Sequence, residues 1–112
     1  MSQTSEAVET AIAAQSLLGS QPVTFFFPRD TKGTSRKEES LTVPGNPETT
    51  LIALTGFNVA YTDEDYELKN LQVSLSVSGK TAACTATLRD RNDGTNAKEW
   101  GGSVEALVMY FG

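Results

Sequence analysis

From Leu71 to Ser78 apolar and polar residues alternate without a break, and the alternation resumes as Ala82, Cys84, Ala86 and Leu88 set against Thr81, Thr85 and Thr87. A period of two belongs to a strand with one buried and one wet face. Ser78-Gly79-Lys80 supplies a tight turn between the runs, so the segment within Tyr66–Asp90 is predicted to form a β-hairpin. Val23–Phe27, enclosed by Pro22 and Pro28, reads as a short strand with its prolines at the ends. Residues 29–40 are polar, contain Gly33 and read as an exposed loop, with Leu41–Val43 a minor edge strand before the turn Pro44-Gly45-Asn46-Pro47. Thr49–Thr62 is aromatic and β-branched. Leu51, Ala53, Phe57, Val59 and Tyr61 share one parity there, and Gly56 marks a bulge or bend. Asn92-Asp93-Gly94 signals another turn. Ser103–Phe111 becomes apolar on both parities, as suits a central or interface-covered strand.

Ahead of these strands the period is helical. Residues 4–18 lack Gly and Pro, place Val8, Ala11, Ile12 and Leu18 near one face, carry Glu6 and Glu9 in the first turns and meet Gly19 as a stop. One short N-terminal helix is predicted, either an arm packed on the domain or an oligomerisation helix. The expected architecture is all-β: a helical arm over 1–20, then an antiparallel β-sandwich of about six strands over 21–112, with a small β-barrel as the alternative.

The 112 residues suffice for one core. Fourteen acidic against nine basic residues give a net charge of -5, which repels phosphate backbones, so neither nucleic acid nor an anionic membrane is an expected partner. Cys84 is the only cysteine, which rules out an intrachain disulfide. No signal peptide or membrane span is read, so the chain is expected to be cytoplasmic as synthesised, with later release or virion association left open.

Histidine is absent, and with it go the commonest general base, the commonest metal ligand and every Ser-His or Cys-His nucleophile pair. No enzyme activity and no cofactor are expected. Cys84 lies on the inward parity between small residues and reads as a structural thiol. The run Asp63-Glu64-Asp65 reads as a solvated turn, and Asp90-Arg91-Asn92-Asp93-Gly94 fails the calcium-loop pattern because Gly94 stands fifth rather than sixth. No metal site is expected. Trp100 is the only tryptophan and lies beside Gly101 and Gly102 after a polar run, in a predicted loop. It reads either as a cap folded onto the β-core or as a platform for a sugar, stacking on the pyranose while Asp90, Arg91, Asn92 and Asp93 bond the hydroxyls.

The segment TGFNVAY, the acidic turn Asp63–Asp65, the hairpin LQVSLSVSG/TAACTATLRD, the polar loop through Trp100 and the strand GSVEALVMYF together resemble an H-type lectin domain over Leu54–Phe111. The resemblance implies a six-stranded antiparallel sandwich, a trimer, and binding of N-acetylgalactosamine-type sugars at subunit boundaries. The lack of histidine and the Ala-rich N-terminus depart from that family. Two functions are therefore expected in turn: a non-catalytic, homo-oligomeric carbohydrate-binding module, or a structural subunit of a larger assembly such as a phage particle or secretion apparatus.

Overall fold

A computed structural model describes residues 15–62, 68–90 and 98–112, with the side chains of Leu68, Lys69 and Asp90 left aside. The alternating hairpin forms as expected. Its strands, β4 (Leu68–Ser78) and β5 (Thr81–Asp90), pair antiparallel with Val73 opposite Ala86 and Leu75 opposite Cys84. Gly79 supplies the positive φ of 58° that the first position of a two-residue turn demands, while among the described residues no other residue type takes a positive φ. Ala82, Cys84, Ala86 and Leu88 are buried on the inward face; the threonines take the opposite parity, where Thr81 and Thr85 are half-buried and Thr87 is buried.

Residues 29–40 are not a loop. β1 (Leu17–Lys32) runs through Arg29-Asp30 to Lys32, turns at Gly33, and continues as β2 (Thr34–Ser40) on the other flank of β5. A charged segment forms a strand here because it lies at a sheet edge, where long side chains reach water while the backbone pairs with β5. Residues 41–48, expected to include an edge strand, form no strand. Leu41 instead inserts its side chain into the core, and its N–H donates to the carbonyl of Lys80 at 2.7 Å.

The remaining strands are β3 (Thr49–Tyr61) and β6 (Glu99–Phe111). Two three-stranded antiparallel sheets result, β1-β6-β3 and β2-β5-β4, so the all-β expectation holds. β6 is the central strand its two-sided apolar pattern predicted. Val104, Ala106, Val108 and Tyr110 of its inner face join Val23, Phe25 and Phe27 of β1 and the inward residues of β5 in one hydrophobic cluster. Gln21 ties the segment after β2 to the sheet β1-β6-β3: its Oε1 accepts from the Thr42 N–H at 3.1 Å and from the Tyr110 hydroxyl at 3.4 Å.

The described residues contain no helix. Leu17 and Leu18, expected at the end of a helix, begin β1, and Gly19 lies within that strand opposite Tyr110. Ser16 exchanges two backbone hydrogen bonds of 2.9 Å with Gly112. Pairing with β6 satisfies these peptide groups, whereas an isolated helix of this length is marginal in water. Residues 4–14 of the expected helix lie outside the described residues, and β1 crosses the boundary expected at 20/21.

The bulge expected near Gly56 is present between Leu54 and Gly56, with a consequence for parity. One additional residue reverses the alternation, so Leu51 and Ala53 do not share a face with Phe57, Val59 and Tyr61. Ile52 and Leu54, opposite Val108 and Ala106, take the inner parity in their place.

Candidate functional site

Trp100 is a strand residue of β6, and its side chain is 0% exposed. Its ring lies against Phe27, with centroids 5.0 Å apart, and its Nε1–H donates to the carbonyl of Gly33 at 2.9 Å. Gly33 is the corner where β1 leaves one sheet and β2 enters the other. The tryptophan therefore fastens that corner, and it presents no face on which a sugar could stack. Its expected place in a loop is corrected by the geometry of its glycine neighbours. A Cβ at Gly101 would stand 2.7 Å from Arg29 Cα, and one at Gly102, where φ is 136°, would stand 2.0 Å from the carbonyl oxygen of Asn58. These glycines let β1 and β3 close on the central strand.

The other expected sugar contacts are not gathered around Trp100 by any described contact. Asp90 ends β5 opposite Leu68. Arg91, Asn92, Asp93 and the acidic run Asp63–Asp65 lie outside the described residues.

A polar recess of about 260 Å³ lies beside the glycine step, lined by Arg29, Asn58, Tyr61, Thr62 and Gly101. It exists because β1 makes an excursion over Pro28–Asp30 between the pairs Phe27–Gly102 and Thr31–Trp100. The hydroxyls of Thr31 and Thr62 hold that excursion by donating to the carbonyls of Pro28 and Arg29. A larger recess of about 680 Å³ opens where residues 41–48 meet the β4–β5 turn, between Val43, Asn46, Thr50, Val77 and Lys80. Among the described residues no cluster of three or more Cys, Asp and Glu side chains is arranged to hold a metal ion. Cys84 is buried, and desolvation raises its pKa, so it stays a thiol rather than a nucleophilic thiolate.

The outer surfaces of the two sheets differ in chemistry. On β2-β5-β4 the outward positions with described side chains are Ser, Thr, Asn, Gln and charged residues apart from Ala83. Thr34 and Thr87 share a hydroxyl hydrogen bond of 2.6 Å, and Arg36 pairs with Glu38 along β2. On β1-β6-β3 the cross-strand register stacks Leu17 beside Phe111, Leu51 beside Met109, and Pro22 and Ala53 on either side of Leu107. This apolar field ends at Glu105. Leu17 is 60% exposed, and Phe26, further along the same face, is 64% exposed. The pattern of β6 announced the centre of this field. Its flanks were hidden, because Leu17 read as helix and the bulge in β3 disguised the parity of Leu51.

No helix among the described residues is long and apolar enough to cross a membrane. No family model, curated protein or solved structure matches the chain.

Proposed function

We propose that the two sheets form a β-sandwich serving as a non-catalytic, self-associating structural subunit of a larger assembly, such as a phage particle or secretion apparatus. The apolar field of Leu17, Leu51, Leu107, Met109 and Phe111 carries this reading. Contiguous apolar surface on one sheet costs free energy in water, and contact with another protein surface removes that cost. Light scattering tests it. The wild-type protein is expected at a multiple of the 12.0 kDa chain mass, and Met109→Lys is expected to lower that mass without altering the circular dichroism spectrum. A wild-type monomer at tens of micromolar would sink the reading.

A second reading keeps the glycan site, now centred on the polar recess rather than on Trp100. Arg29, Asn58 and Thr62 supply donors and acceptors suited to sugar hydroxyls. Asp90, Arg91, Asn92 and Asp93 stay part of that reading, as does the trimer implied by the H-type lectin resemblance. A glycan array decides it: binding abolished by Arg29→Ala favours a carbohydrate-binding module, and an array without signal removes it.

A further inference from the structure

The two long sides of the molecule are finished differently. On one side lie the edges of β1 and β2. β1 carries Pro22 and Pro28, and β2 has Arg36, Lys37, Glu38 and Glu39 among its seven residues. Prolines and charges at an edge discourage the addition of a further strand. On the other side lie the edges of β3 and β4. β3 has neither a charge nor a proline in thirteen residues, and β4 has one lysine, Lys69, in eleven. Burial follows the same division. The inward residues Val23, Phe25 and Phe27 of β1 are buried, whereas no inward residue of β3 or β4 with a described side chain is fully buried. Leu54 and Phe57, on the inner parity of β3, are 46% and 55% exposed.

We infer that a second copy of this chain joins along this side, β3 antiparallel to β3 and β4 antiparallel to β4. The two-fold axis runs normal to the sheets, and each three-stranded sheet becomes one of six strands. The inference rests on the reading of the chain as a self-associating subunit, but it uses an edge rather than the outer face.

Three observations favour a second copy as the occupant. An exposed edge offers a row of backbone donors and acceptors that another strand satisfies, and an identical copy brings an equally open edge. Charge does not oppose the contact locally: although each chain carries -5, β3 contributes none of it. The size is adequate as well. At ~3.3 Å per residue, β3 and β4 are about 43 and 36 Å long, and with layers ~10 Å thick the rim offers on the order of 800 Å² per copy. That matches the area each partner contributes to an ordinary stable interface, about 800 Å².

The symmetry also fits the sequence. The midpoint of Thr49–Tyr61 is Thr55, at the bulge between Leu54 and Gly56. A two-fold axis half a residue beyond it, between Thr55 and Gly56, sets Leu54 and Phe57 of one copy against Phe57 and Leu54 of the other, covering the inner-parity side chains left most open in the single chain.

The test combines sedimentation velocity with amide exchange on the full chain. The wild-type protein is expected at an even multiple of 12.0 kDa and Met109→Lys, its outer face blocked, at twice 12.0 kDa, with amides of β3 exchanging at least tenfold more slowly at high than at low micromolar concentration. The double variant Leu54→Lys/Phe57→Lys places like charges together at the axis and should weaken the dimer roughly 100-fold or more. Both side chains are exposed in the single chain, so its circular dichroism should be unchanged. If that variant fails to fold, Thr55→Lys alone serves, being exposed and at the midpoint. Met109→Lys separates the two surfaces. If it dissociates the wild-type assembly while the β3 variants leave it intact, the edge inference is overturned and the self-associating subunit stands. A trimer overturns the edge inference, and a wild-type monomer overturns both.

Discussion

Truncation of Trp100 removes a fully buried ring, its contact with Phe27 and the hydrogen bond that ties the β1–β2 corner to β6. Trp100→Ala is therefore expected to lower stability by about 3–5 kcal/mol in urea unfolding, a range typical of large buried aromatic residues. A loss below about 1 kcal/mol, within the range of ordinary surface substitutions, would mean the ring is dispensable to the core. A second residue-scale effect concerns pH. Desolvation raises the pKa of Cys84 above its usual 9.0 and that of Tyr110 above its usual 10.0. In both cases the unfolded chain releases its proton first. The stabilising contribution is thus complete below the ordinary pKa and is lost as pH rises through the raised folded-state value. Unfolding free energy should fall on the alkaline side, and Cys84→Ala should remove the part that begins near 9.0. An unchanged slope in that variant would count against burial of the thiol. The inward parity of Cys84 was legible from its strand. The role of Trp100 was not, because Gly101-Gly102 has the composition of a loop and only the three-dimensional approach of Arg29 and Asn58 explains it.

At the scale of elements, the β4–β5 hairpin could be read with its register, since strict alternation and a two-residue turn leave one pairing that buries the apolar set. That register predicts a sharp contrast between neighbours on β5. Ala86→Asp buries an unpaired charge and should cost several kcal/mol, whereas Thr85→Asp, on the hydroxyl-rich outer face, should cost little. Equal melting temperatures for the two variants would overturn the facing of the strand. β2 was illegible for a physical reason. Its residues Thr34–Ser40 have the composition of a loop, and what makes them a strand is the open edge of β5 beside them, a partner distant in sequence. The bulge in β3 was legible in position but not in effect, because one inserted residue moves every side chain beyond it to the other face. The end expected for the N-terminal helix was lost to the same kind of competition: Leu17 has a partner in β6, Phe111, that local periodicity does not reveal.

For the whole molecule, an apolar association between copies that each carry -5 is opposed by their mutual repulsion. Added salt should screen that repulsion and tighten the assembly. Sedimentation at low and high ionic strength reads this directly, and an assembly that loosens in salt would point to ionic contacts instead. The order of strands has a further consequence, felt while the chain is being made. β6 lies between β1 and β3, yet of the six described strands it is translated after the other five. The sheet β2-β5-β4 has all its strands once residue 90 has emerged from the ribosome, while β1 and β3 have no common partner until Phe111 follows. Those 21 further residues take about 1–4 s at ~5–20 residues per second. During that interval Phe25 and Phe27 wait for the strand that will cover them, and a nascent chain stalled before Glu99 can complete only one of the two sheets.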